Sequence, residues 1–194
     1  MLKTIVIYWN TLKYLKTSQI FYKIFYYLHR PRIKISDVGD INHPTGIWKT
    51  PISKKDSIIT DTRFRFLNRE LQLDLPEDWS KKNGSLLWMY NLHYFDGILS
   101  DKGADNQIMN LELMHSWIKH NIPGSKVSWD PYPTSLRLVN WIKWLINTNL
   151  NDEIIINSIY IQSRSLFNRI EYHLSANHLL SNAKALIFSG LFFE

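Results

Sequence analysis

The sequence predicts an all-α fold in which helices follow one another as antiparallel hairpins, the arrangement of an α/α hairpin array or an incomplete toroid. Three observations carry this. From Leu86 to Glu194, apolar residues recur at helical spacing, with short polar turns between the runs. Between Pro31 and Ser85 any sustained period is lost, and Gly39, Pro44, Gly46, Pro51 and Pro76 punctuate the chain. Before Pro31, two basic runs again have helical spacing. The expected organisation is therefore amphipathic basic helices over 1–32, an irregular arm with short strands over 33–85, and a helical array over 86–194.

In the first region Ile5, Trp9, Leu12 and Leu15 form one helical stripe. Ser18 is placed to cap a second helix, whose apolar face holds Ile20, Phe21, Ile24, Phe25 and Leu28. Lys13, Lys16, Lys23, His29, Arg30 and Arg32 flank that face. A basic aromatic helix of this kind suits weak contact with a membrane surface, but docking of the face onto the following domain is the preferred expectation. Pro31 stops the helix. In the arm, RIKI, IWKT and RFRFLN are candidate short strands, and Trp48, Phe64, Phe66 and Trp79 argue for an ordered segment.

The array opens with a helix from Leu86 through Ile98, with Leu87, Tyr90 or Asn91, Tyr94 and Ile98 as its stripe. Asp105 or Asn106 caps the next, with Ile108, Leu111, Met114 or His115 and Ile118 inward. After a turn at Trp129–Pro133, Thr134 or Ser135 begins a helix carrying Leu138, Trp141 or Ile142 and Leu145. Asp152 caps a long helix expected to run through His173. The last begins at Asn177 and is still apolar at Phe192 and Phe193, with no glycine cap or proline stop. That ending predicts a truncated helix with an exposed Phe-Phe pair.

Composition narrows the function classes. The chain has eight Trp, ten Tyr and nine Phe, enough to supply both a core and the flat stacking surfaces that bind sugar rings. The formal net charge is +6, with much of the excess early, which favours anionic partners without choosing among them. No nucleic-acid-binding motif accompanies the charge, so nucleic acid is not an expected partner. There are no cysteines, which excludes disulfides and thiolate chemistry. Phosphate-cradling glycine loops and the HExxH and GxSxG motifs are absent, and the His115/His120 and His173/His178 pairs have the wrong spacing to share a helical face. No metal or other cofactor is expected.

Three segments carry a more specific signal: WMYNLHYFD from Trp88 to Asp96, SWDPYPTSLRLVNWIKW from Ser128 to Trp144, and EYHLSANHLLSNAKALIFSGLFF from Glu171 to Phe193. In this order they resemble blocks of the N-terminal domain of the heparinase II/III family of polysaccharide lyases. The resemblance covers residues 86–194 well and the first 85 loosely. It implies an incomplete (α/α) toroid, cut before the family's catalytic tyrosine and its β-sandwich domain. It also implies β-elimination on a uronate-containing acidic polysaccharide: the carboxylate is neutralised, a base removes the C5 proton, and an acid protonates the leaving glycosidic oxygen.

On the resemblance, Asn177 and His178 correspond to the family's Asn-His pair. An Asn amide at a helix start can donate to a carboxylate, and the neighbouring His can act as donor or base. A helix cap and a packed first-turn His are the structural alternative. Arg137 and Asn140 share a helix face, and an arginine fork there would bind a uronate. The alternative for Arg137 is an ion pair with Asp130 or Glu171. Trp129 and Tyr132 are candidate stacking residues, and His93 and Tyr94 candidate cleft residues, whereas Trp141 and Trp144 read as core. Neither Tyr132 nor Tyr172 matches the role of the family's tyrosine, so the chain alone is expected to be inactive. The other expectation is a non-catalytic carbohydrate-binding or structural remnant. The family's setting is periplasmic, yet Asn10, Lys13 and Lys16 interrupt the opening apolar stretch and no signal-type cleavage site follows, which suits the cytoplasm equally.

Overall fold

The computed structural model describes residues 10, 13–29, 41, 49–81, 83–174 and 176–193. Ile5, Trp9 and Leu12 of the predicted first helical stripe, RIKI, Trp48, and Arg30 and Arg32 lie outside those residues. Among the described residues the chain is mostly helical, with one two-stranded sheet. The helices are α1 (Thr17–Leu28), α2 (Leu86–Tyr94), α3 (Asp101–Asp105), α4 (Gln107–His120), α5 (Pro131–Thr148), α6 (Glu153–Phe167) and α7 (Asn177–Phe192). None is long and apolar enough to cross a membrane.

The arm contributes a hairpin, β1 (Arg63–Phe66) and β2 (Arg69–Gln72), antiparallel with Phe64 opposite Leu71. Its two turn residues, Leu67 and Asn68, both have positive φ, the backbone that matches the right-handed twist of paired strands. Phe64 and Phe66 alternate inward, and their rings meet Trp79 and Trp88 at 6.4 and 5.1 Å between centroids. The arm therefore shares its core with the helices.

Helix α5 is the centre of the array and packs against α2, α6 and α7, while α4 packs against α6. The contacts form two layers, α2–α5–α7 and α4–α6, joined where α6 meets α5 and α7. Helix starts follow local chemistry. The Ser85 and Ser100 hydroxyls accept from Trp88 N and Gly103 N, and the Asp152 carboxylate accepts from Ile155 N. Helix α5 begins three residues before the expected Thr134, because Pro131 at its first position supplies the helical φ and lacks only an N–H that would have no partner there.

Several expectations are corrected. The helix expected from Leu86 to Ile98 breaks at Phe95, whose φ of 58° turns its ring into the core against Trp79 and Trp141. The buried face of α2 is Trp88, Met89, Leu92, His93 and Tyr94, while Leu87 is exposed. In α4 the buried face is Asn110, Leu113, Met114 and Trp117, and Ile108 is exposed. Helix α6 stops at Phe167, not His173: the Asn168 side chain and backbone N both donate to Arg164 O, closing the last turn. Phe192 and Phe193 are buried, not exposed, with the Phe193 ring edge-on to Tyr160 and its backbone bridged to Ile41. Helix α1 also departs from expectation. It begins at Thr17, and Phe21, Ile24, Phe25 and Leu28 face outward. Its tyrosine side meets the body instead, Tyr22 lying 5.0 Å from Tyr172 and Tyr26 4.7 Å from His173 between ring centroids.

The junction between the 3-10 turn Asp96–Leu99 and α3 depends on one glycine. A Cβ on Gly103 would sit 2.2 Å from Gly97 O and 2.9 Å from Ile98 backbone atoms. Backbone cannot move aside as a side-chain tip can. Gly103→Ala is expected to cost about 3 kcal/mol, read as a lower urea midpoint at unchanged m-value.

Candidate functional site

The loop between α6 and α7 carries Glu171 to the start of α7, where it meets His178. Asn182, buried in α7, organises it. Its Oδ1 accepts from Glu171 N at 2.9 Å, and its Nδ2 donates to Ser135 Oγ at 3.0 Å and to Glu171 Oε2 at 3.3 Å. One amide thus ties the loop to α5. The Glu171 carboxylate also meets His178 Nδ1 at 3.1 Å. Its pKa is raised: burial dominates over the opposing effect of His178 and Asn182, with Asp130 adding a smaller push upward. With Glu171 ionised and only able to accept, Nδ1 carries the proton and Nε2 is left as the acceptor nitrogen.

Tyr132, in the first turn of α5, lays its ring 4.3 Å from the His178 imidazole, and Tyr94 meets Tyr132 edge-on at 6.0 Å. Asn177, the first residue of α7, is exposed beside this group. Ala176 before it has φ 61° and ψ −120°, a conformation that disfavours any side chain. Ala176→Gly is expected to stabilise the protein by about 1 kcal/mol, visible as a higher melting temperature.

A cleft of about 450 Å³ opens alongside, lined by Tyr26 and Tyr27 of α1, Tyr90 of α2, Lys126, Asp130, Arg169 and Glu171 among others. Asp130 starts α5 without capping it; its Oδ2 accepts from Tyr90 OH at 2.8 Å. Burial and that acceptor raise the Tyr90 phenol, so Tyr90 stays a protonated donor. The Tyr26 hydroxyl accepts from Arg169 Nη2 at 2.6 Å, and burial pushes its pKa up to about 12. Helix α1 therefore forms one wall of the cleft.

Of the residues singled out from sequence, Asn177, His178, Tyr132 and Tyr94 come together here. The others, Arg137, Asn140, Trp129 and His93, lie elsewhere and are buried. Arg137 is 0% exposed, donating from Nε to Gln162 Oε1 at 2.8 Å, from Nη1 to His93 O at 3.1 Å and from Nη2 to Thr134 Oγ1 at 3.2 Å. Neither Asp130 nor Glu171 pairs with it. Asn140 donates to Tyr94 O and Asp96 Oδ1, and Asp96 also pairs with Lys54. Arg137 and Asn140 thus satisfy the last carbonyls of α2, groups a helix end leaves without partners, and so hold Tyr94 in place. Trp129 is stacked on Trp117 with its N–H on Asn121 O, and His93 accepts the Trp117 indole N–H at 3.0 Å.

Sequence reading missed Glu171, Asn182, Asp130 and Tyr90 as site residues. Only Asn168, a helix-ending residue type after Phe167, signalled that Glu171 sits in a loop. Among the described residues no group of three or more His, Cys, Asp or Glu could hold a metal ion. Comparisons of the chain with protein-family models, with curated proteins and with solved structures returned no match.

Proposed function

We propose that the chain forms the N-terminal part of a heparinase II/III-like lyase toroid and supplies one wall of a cleft that acts on uronate-containing polysaccharide by β-elimination. The observation that carries this reading is the Glu171–His178 pair at the start of α7, beside the exposed Asn177 and the Tyr132 ring. Two of the three sequence blocks that resemble the family, Ser128–Trp144 and Glu171–Phe193, contribute these residues. The packing of α5 on α6 and of α6 on α7 supports successive helix hairpins, the unit an (α/α) toroid would repeat.

In this reading the Asn177 amide and the free N–H groups at the α7 start receive the uronate carboxylate, favouring the charge that builds up as the C5 proton leaves. His178 Nε2 takes that proton, and Glu171 holds the ring and stabilises the imidazolium that results. Tyr132 supplies a flat face to the sugar. The resemblance assigns the acid–base tyrosine to no residue here, so the chain by itself is expected to bind without turnover.

The test is binding of uronate oligosaccharides by calorimetry, together with absorbance of unsaturated uronate. Asn177→Ala and His178→Ala should each weaken binding by about tenfold, the size of one charge-assisted contact. Glu171→Gln should have a smaller effect. Equal affinity for neutral oligosaccharides, or indifference to both alanine substitutions, would refute the proposal. The three tyrosines of the cleft favour a second reading, non-catalytic sugar binding. Binding lost in Tyr90→Ala but unaffected at Asn177 and His178 would select it.

A further inference from the structure

Among the described residues, helix α1 meets the body by one side, and its most apolar side is exposed. Tyr22 and Tyr26 make the contacts, with Arg169 donating to the Tyr26 hydroxyl. Phe21, Ile24, Phe25 and Leu28 are 63, 55, 48 and 79% exposed. Their spacing of three, four and seven places them on a single helical stripe. Burial in a core would have been the ordinary fate of such a stripe, and an exposed run of large apolar side chains marks a surface for a partner.

Charge identifies the partner. Residues 1–32 contain Lys3, Lys13, Lys16, Lys23, Arg30 and Arg32 and no Asp or Glu. With 23 Lys and Arg and 17 Asp and Glu in the whole chain, residues 33–194 are neutral, and the entire net charge of +6 belongs to the segment that carries the apolar stripe. A polar helix face binding only a soluble polyanion would have no use for four exposed apolar side chains. An apolar protein groove would have no use for undiluted positive charge. An anionic bilayer surface uses both: side chains enter the acyl boundary and cations sit at the headgroups.

We infer that α1 docks the protein on an anionic lipid bilayer, with Phe21, Ile24, Phe25 and Leu28 inserted in the interface. The helix lies on the membrane; at 12 residues it is too short to span one. Because Tyr26 and Tyr27 of the same helix line the cleft, docking brings the cleft close to the membrane surface. This inference is independent of the proposed lyase chemistry.

The experiment is co-sedimentation of the full chain with vesicles of equal parts phosphatidylcholine and phosphatidylglycerol, and with phosphatidylcholine alone. The chain should sediment with the anionic vesicles, less so as salt rises. Phe21→Ser with Phe25→Ser should lower partitioning by at least about tenfold without changing the far-ultraviolet circular dichroism, since both side chains are exposed. Replacing Lys13 and Lys16 by Gln should cost about fivefold each. The sequence has no cysteine, so Leu28→Cys takes a single environment-sensitive fluorophore, whose emission should shift to the blue on anionic vesicles. Failure of the chain to sediment, or retention of binding by the double serine variant, would overturn the inference. So would an unshifted label while the protein is bound, which would assign the basic residues to simple surface adsorption.

Discussion

Acidification from pH 7 to pH 3 is expected to strip the protein of on the order of 5 kcal/mol of stability through His93 alone. Its imidazole is buried between Trp79 and Trp117, and its pKa is pushed down to about 3, mainly by burial and secondarily by the Arg137 guanidinium. Nδ1 accepts the Trp117 indole N–H, so protonation would also break that bond. The unfolded chain takes up a proton near pH 6.5, whereas the folded chain resists down to about pH 3. His93 therefore contributes its full stability above pH 6.5 and loses it progressively as pH falls through that window. Glu171 acts in the opposite sense, since its raised carboxyl destabilises the folded state once ionised and relieves it on acidification. Asp78, held below its ordinary value chiefly by the Asp74 N–H, adds to the acid loss at lower pH. His93→Asn keeps an acceptor for Trp117 and cannot become a cation. Urea titrations at a series of pH values should show a steep fall in stability for the natural sequence and a flatter one for His93→Asn. Parallel curves would refute the assignment.

Arg137→Ala is expected to cost about 4–5 kcal/mol, enough to leave a marginally stable domain largely unfolded. The guanidinium is fully buried with neutral partners, and burial holds its pKa well below the ordinary arginine value. It lies 3.9 Å over the Trp117 ring, with Trp117 in turn stacked on Trp129 and edge-on to Trp141. Truncation leaves Gln162, His93 O and Thr134 without their donor and empties the space beneath Trp117. Arg137→Met refills that space but restores no donor, so its cost should be about half as large. Urea midpoints in the order natural, Met, Ala would support a buried polar scaffold. An alanine variant within about 1 kcal/mol of the natural protein would deny it.

The buried contacts of Arg137 and Asn140 have a functional consequence. Both fix the end of α2 and with it Tyr94, whose ring meets Tyr132 beside His178. Substituting either residue should therefore affect sugar binding only to the extent that the fold is disturbed. Asn177 and His178 substitutions should weaken binding while leaving thermal stability nearly unchanged.

What the sequence determined by itself was local. Helix starts at Asp152 and Asn177, the extended piece at RFRFLN and the helical character of 86–194 each depend on a few adjacent residues whose chemistry is readable in order. Which face turned inward was decided only in three dimensions. In a two-layer array a helix such as α5 is buried on several sides, so apolar spacing no longer marks a single inward face, and Leu87 and Ile108 stay in solvent while His93, Asn110 and Arg137 are enclosed. The candidate site follows the same division. Asn177 and His178 were legible as adjacent residues at a helix start. The Glu171 partner was not, because an amide from Asn182, eleven residues further on, places that carboxylate, and Ser135 on another helix orients the amide.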